Sequence, residues 1–391
     1  MKVCLPCPGL DHIQRGFETY TRDLFGALGN RCEAHLVKSN GPGGKGVHVV
    51  GSIRRTHRVY DFLPAGLKTG YRRFDVECNS FALAMIPLLL RERFDLIHFS
   101  EIPLGVALRR LRKLLGLDFR LLLSNGAPWE PADCVGYDGI HQVSPAHHAA
   151  CSAYGIPEEF QHFVPYGFNP AVFSRPADFN RREARRALGI PAEAKVVLSL
   201  AALNRSHKRI DWLITEFAEF ARDRNVFLLM VGNPEEETPA LRSLAEEKLG
   251  SGTWTMTRVP FDEVPRMLWL SDAMVQTSLD EGFGRTLVEA MLADVPVLCH
   301  PHETARSLIA ADASFVDMAA PGALAERLVQ LAEEPALPAA IREENRRHAR
   351  RFGWDRLVDD YLSMYQAVLG HRNGEKSGKE LKSGRQIGGM V

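Results

Sequence analysis

The chain has 391 residues, more than one hydrophobic core usually organises, since single cores stop growing near ~250 residues; two domains are therefore expected. Apolar residues at 45% and charged residues at 25% exclude a collagenous or wholly disordered chain. Lys plus Arg (48) balances Asp plus Glu (48), which disfavours a nucleic-acid binder with a broad basic field.

The first residues, Met1-Lys2-Val3-Cys4-Leu5, enter strand-like sequence without the apolar run and small-residue cleavage site of a signal peptide. The longest nearly uninterrupted apolar stretch, Phe81 to Leu90, has ten residues and contains Pro87, short of the ~20 that a spanning helix needs. Seven scattered cysteines make no secreted disulfide framework. A cytoplasmic protein is the expectation. Cys4-Leu5-Pro6-Cys7 has the spacing of half a zinc site, but no second pair completes it, and no metal site is expected.

Strand-length apolar segments alternate with longer helical stretches, the signature of parallel α/β layers. A first series covers residues 2–5, 34–38, 94–99, 120–124 and 140–143; a second covers 195–201, 226–231, 254–259, 273–277, 295–300 and 314–316. Between them, residues 165–170, Arg175-Pro176 and the charged stretch 180–188 read as a linker. Both series predict doubly wound sheets, which bind ligands at the carboxyl ends of their strands, so two of them facing each other create a cleft. Residues 357–365 carry a helical apolar stripe, and the Gly, Ser and Lys rich tail 371–391 is expected to be disordered.

Several loops at strand ends carry chemistry. Asp11 to Glu18, with Gly16, follows the first strand; Ser124-Asn125-Gly126 follows the fourth. The region 45–120 holds 14 Lys or Arg against 7 Asp or Glu, a net of +7, and Arg109, Arg110, Arg112 and Lys113 interrupt the apolar stretch 104–117. That pattern fits either a helix on an anionic membrane surface or, slightly better, a domain helix with one solvated face. In the second series Asn204-Arg205-Ser206-His207-Lys208-Arg209 places three fixed cations at a ligand-facing loop, where they would attract an anionic ligand.

The most informative stretch runs from Ser278 to Met291. Gly282 and Gly284 let a ligand approach the backbone, and the first-turn amides beyond them are unpaired donors at the positive end of a helix. Glu281 and Glu289 are eight positions apart, a little over two turns, so they lie roughly on one side and can accept hydrogen bonds from two polyol groups. The competing structural reading makes Glu281 a capping acid and Glu289 a solvated helix residue.

This stretch resembles the Glu-x7-Glu signature of retaining glycosyltransferases of family four, which have the GT-B fold of two facing Rossmann-like domains. Pro165-Tyr166-Gly167-Phe168-Asn169-Pro170 resembles that family's interdomain signature, and residues 352–365 resemble its terminal crossover helix. The resemblance implies a first, acceptor domain over 1–170 completed by 353–370, and a second, donor domain over 171–352. It implies that Glu281 and the amides of Gly282, Phe283 and Gly284 contact a donor sugar, that Glu289 binds the nucleotide ribose, and that Thr286 lies near the diphosphate. Lys208 matches the family's diphosphate-neutralising Lys; its usual Arg partner is replaced by Ala202, for which Arg205 is the expected substitute. Gly16 matches a loop glycine near the diphosphate, whose preceding glycine is Arg15 here. Asn125 replaces a His that reaches the sugar, leaving His98 as the nearest titratable alternative; the base is expected near Val259.

The expected activity is retaining transfer of a sugar from a nucleoside diphosphate donor to a saccharide or lipid-linked saccharide acceptor, in cell-envelope polysaccharide or glycoconjugate synthesis, without cofactor or metal. The alternatives are a phosphorylase or synthase of the same fold, recognised by phosphate-dependent turnover, and a non-catalytic nucleotide-sugar-binding protein, prompted by Asn125 and Ala202.

Overall fold

The computed structural model describes residues 1–13, 16–62, 69–127 and 129–370. Its strands form two parallel sheets. The first contains β1 (Lys2–Cys7), β2 (Glu33–Lys38), β3 (Val47–Val49), β4 (Leu96–Phe99), β5 (Arg120–Asn125), β6 (Gly139–Gln142) and β7 (Gln161–Phe163), in the order β3-β2-β1-β4-β5-β6-β7. The second contains β8 (Lys195–Leu200), β9 (Val226–Val231), β10 (Trp254–Thr257), β11 (Ala273–Gln276) and β12 (Val297–Cys299), in the order β10-β9-β8-β11-β12. Strand order reverses beside β1 and again beside β8, so each sheet opens a crevice at the carboxyl ends of its central strands. The near-continuous apolar runs follow from helices covering both faces; every residue of β9 is buried.

Three details depart from the sequence reading. Residues 314–316 do not form a strand: Phe315 makes one isolated parallel bridge to Cys299, after a 3-10 turn over Asp312–Ser314. The three-residue strands β3 and β7 were too short to show a period. The charged stretch read as linker is docked on the second lobe. Asn180 caps the helix Arg181–Ala187, and its Arg185, 5% exposed, donates to the carbonyls of Leu270, Ala192 and Ala194 and pairs with Asp272 at 2.7 Å. A guanidinium can be buried there because each of its three nitrogens finds an acceptor.

The chain crosses between lobes twice, side by side: Phe168 N–H donates to Phe352 O (2.8 Å) and Trp354 N–H to Phe168 O (3.0 Å). The second crossing leads into the helix Trp354–Gly370, which buries Tyr361, Tyr365 and Val368 against the first lobe. Among the described residues no helix is long and apolar enough to cross a membrane. The tail 371–391 and Arg15 lie outside the described residues.

Candidate active site

The loop after β8 is shaped by one side chain. Asn204 Oδ1 accepts the backbone N–H groups of His207 (3.2 Å) and Lys208 (2.7 Å), while Thr277, just past β11, donates its hydroxyl to Lys208 O at 2.6 Å. These bonds bring two sequence-predicted residues together: Lys208 Nζ pairs with Glu281 Oε1, which also accepts the Ser278 hydroxyl at 2.6 Å. Glu281 is only 8% exposed. Burial pushes its carboxyl up, but the Lys208 ammonium and Ser278 outweigh burial and leave it below the usual value, an ionised and weakly basic carboxylate.

Beyond Glu281 the backbone turns at two glycines. A side chain on Gly282 would collide with the Gly126 carbonyl of the first lobe, so the lobes meet here main chain to main chain. Gly284 adopts φ 83° as N-cap of the helix Arg285–Leu292, a left-handed conformation costly for other residues. Phe283 was assigned through its amide, and its side chain is engaged elsewhere. Its ring is 3% exposed and packs on Tyr166, Phe168 and Phe352 at centroid distances of 4.9, 6.3 and 6.3 Å. It belongs to the core of the interlobe crossing, and only its main chain is left for a ligand. Thr286 accepts a hydrogen bond from Gln276 Nε2 at 3.3 Å.

Glu289, 3% exposed, lies beside Arg285, whose Nε is 3.6 Å from its Oε1. The same guanidinium donates to Asp23 of the first lobe at 3.1 Å and stacks 4.4 Å above Phe168. Gly16 completes this contact, since a methyl there would lie 3.2 Å from Arg285 Cδ. Burial raises the carboxyls of both Asp23 and Glu289, with Arg285 holding each down in part. The sequence reading passed over Arg285. One signal was present: a cation in the first turn opposes the helix dipole and calls for anions nearby.

Other assignments are corrected by placement. Arg205 is 53% exposed and pairs with Asp211 at 3.3 Å, away from Glu281, so it does not stand in for the missing partner of Lys208. Arg209 reaches Met318 O at 2.5 Å and lies over Trp212. Asn125 turns its amide into the first lobe, donating to Gln142 Oε1 at 2.9 Å. His98 is buried between Tyr365 (2.9 Å) and His141 (3.2 Å) and is excluded as a cleft base. Val259 is half-buried and packs on the core that includes the second lobe. Cys4 and Cys7 join different core clusters on opposite faces of β1, which rules out a shared metal. Glu33, His35 and Glu92 are close enough to share a cation, but Lys2 already pairs with Glu33 (2.8 Å) and Glu92 (3.1 Å), at the edge opposite the crevice. On the helix Ile102–Leu115, Arg112 is paired with Asp138 and Arg109 donates to Val135 O at 3.2 Å, so neither is part of a free cationic face.

The crevice thus offers an ammonium, an ionised carboxylate and open helix amides on one wall, a set suited to a polyol joined to an anion. Residues 180–348 match the family model described as glycosyl transferases group 1. Among relatives, a D-inositol 3-phosphate glycosyltransferase 1 from Catenulispora acidiphila is 30% identical over 229 residues, 55% of this chain and 54% of that protein. Mannosylfructose-phosphate synthase from Agrobacterium fabrum is 31% identical over 158 residues, 38% and 34% of the two chains. The chain spans about half the length of the first curated relatives it matches, 54% and 46%. Similar folds are those of sucrose-phosphate synthase from Thermosynechococcus elongatus (TM-score 0.77, 18% identity, 94% of this chain and 99% of that one) and Anabaena HepE, solved with UDP and glucose (0.74, 17%, 94% and 100%). Over residues 180–348 the chain is similar to glycosyl transferases group 1, and its two facing parallel-sheet lobes give it the GT-B fold.

Proposed function

We propose that the protein transfers a hexose-type sugar from a nucleoside diphosphate to an acceptor hydroxyl in the crevice, with retention at the anomeric carbon. The observation that carries this reading is the Lys208–Glu281 pair beside the open amides of the helix Arg285–Leu292. As the glycosidic bond breaks, negative charge grows on the diphosphate, and an ammonium and helix amides already in place stabilise that state more than the ground state. Glu281 binds hydroxyls of the sugar. Its carboxylate is held by Lys208 and Ser278 and has lowered basicity, which makes it a poor covalent nucleophile. Front-face substitution follows, with the leaving phosphate oxygen taking the acceptor proton while the protein positions both partners. Glu289 holds the ribose and exchanges its contact with Arg285 for one with the nucleotide. Lys208 and the helix amides supply the positive charge the leaving group calls for, so the proposal includes no metal.

The acceptor is a saccharide, free or lipid-linked, as in envelope polysaccharide or glycoconjugate synthesis; a trehalose-phosphate synthase of similar fold was solved with glucose-6-phosphate. A cytoplasmic enzyme touching the membrane surface would use the exposed Arg110, Lys113 and Leu114, the last 79% exposed. Vesicle sedimentation that is unaltered by Arg110→Glu plus Lys113→Glu would remove that contact. The main test is a thermal-shift panel of nucleoside diphosphate sugars, since binding raises the melting temperature with concentration over affinity. One or more should stabilise the wild type and fail to stabilise Glu289→Ala. No shift with any of them, or turnover that requires inorganic phosphate and no nucleotide, would reject the reading.

A further inference from the structure

The loop after β12 carries an imidazole that the site described above does not use. His302 caps the short helix Glu303–Leu308, its Nδ1 accepting the backbone N–H of Ala305 at 3.2 Å. A ring nitrogen that accepts carries no proton, so the neutral ring bears its hydrogen on Nε2. Among the described residues that Nε2 has no hydrogen-bond partner, although the side chain is only 7% exposed. Buried donors without acceptors are rare in folded proteins, and each calls for an explanation.

The position supplies one. β12 is the neighbour of β11, so the loops bearing His302 and Glu281 leave adjacent strand ends. His302 Nδ1 lies 3.9 Å from Asp280 Oδ1, and the charges of Glu281 and Lys208 both act on the ring. Two residues further on, the Thr304 hydroxyl meets Ser144 of the first lobe at 2.7 Å, which puts the ring where the lobes close. Burial holds the imidazole below its ordinary value despite the acidic neighbours, and a proton on Nδ1 would also break the helix cap. The ring is therefore a neutral donor. Flanked by the carboxylates of Asp280 and Glu281, such a donor suits an uncharged hydroxyl better than a phosphate oxygen, which those carboxylates repel.

We propose that His302 Nε2–H donates to a hydroxyl of the donor sugar and so takes part in selecting which sugar is accepted. The inference rests on the nucleotide-sugar reading above. The full chain is titrated calorimetrically with a panel of nucleoside diphosphate sugars, UDP-glucose and GDP-mannose among them, each beside its free nucleoside diphosphate. His302→Asn keeps an acceptor oxygen for the cap and removes the distal donor. Its unliganded melting temperature should stay at the wild-type value, its affinity for the sugar nucleotide should fall about 5- to 10-fold, and its affinity for the nucleoside diphosphate should not change. His302→Gln returns an N–H at the distal position and should bind the sugar nucleotide more tightly than His302→Ala; this pair carries the test if the Asn variant does not fold. Wild-type affinity for the sugar nucleotide in His302→Asn, equal weakening for both ligands, or no difference between the Gln and Ala variants overturns the proposal. A wild type that binds none of the nucleotide sugars overturns the donor reading itself.

Discussion

Replacing Lys208 by Met isolates the pair on which the functional reading stands. The variant leaves the Glu281 carboxylate, 8% exposed, with Ser278 as its remaining hydrogen-bond donor. Breaking one side of a buried pair costs ~3–5 kcal/mol; the lower end applies, because the Lys208 side chain is 17% exposed and the Ser278 bond survives. At ~2–4 °C per kcal/mol for a unit of 150–250 residues, the melting temperature at pH 7.5 should fall by roughly 6–12 °C. The pH dependence has a definite sign. In the wild type the Glu281 carboxyl is held below its ordinary value of 4.5, so its stabilisation is present above that pH and is lost as pH falls through the folded value. Without Lys208, burial is opposed chiefly by the Ser278 bond and the carboxyl rises, so the gap between variant and wild type should narrow as pH falls toward 5. Adding Glu281→Gln removes the orphaned charge and should restore most of the stability. Neither variant should recover transfer activity, which separates the structural role of the pair from its chemical one. Differential scanning fluorimetry across pH reads all of this. A Lys208→Met protein that melts with the wild type at pH 7.5, or whose deficit stays constant to pH 5, would refute the reasoning.

Three further outcomes are expected. Gly282→Ala drives a methyl into the Gly126 carbonyl and should prop the lobes apart, raising the radius of gyration in small-angle scattering and lowering transfer at least ~10-fold; unchanged scattering and rate would mean the lobes do not need this contact. Arg285→Met strands Asp23 and Glu289, whose carboxyls burial already raises, so it should cost ~2–3 kcal/mol at pH 8 and much less at pH 5; a pH-independent loss would point to stacking on Phe168 instead. Glu101 is pushed up to about 8 by burial and by the charge of Glu18, so the folded state keeps a proton that the unfolded chain releases, and stability declines as pH climbs from about 4.5 to about 8. Glu101→Gln should match the wild type below pH 5 and exceed it at pH 9, on the order of 1.4 kcal/mol per pKa unit gained; parallel stability curves would contradict the burial argument.

The local pattern was legible where one physical requirement dominates a segment. Runs such as Val226–Val231 are buried on both faces and announce themselves as parallel strands. The turn at Gly282-Phe283-Gly284 between two acids is a local backbone requirement and was visible too. Residues 314–316 were misread because apolar content alone does not distinguish a strand from a single bridge beside a 3-10 turn. Arg205 and Lys208 sit three positions apart in one basic loop, and composition gave no reason to separate them. Asn204 separates them by tying down the Lys208 backbone, while Asp211 draws Arg205 outward.

From the sequence by itself came the two series of α/β units, the linker near Pro165–Pro170, and the acid–glycine–acid stretch at the head of a helix, because periodicity and backbone demands are properties of neighbouring residues. Only the tertiary structure decided which charges meet. It paired Lys208 with Glu281 across 73 residues and Asp23 with Arg285 across 262, turned Asn125 inward, and left His302 with a buried donor that has no partner among the described residues. Long-range pairing depends on where separate strand ends are brought together, and that geometry is written in the packing of both sheets, not in any one stretch of chain.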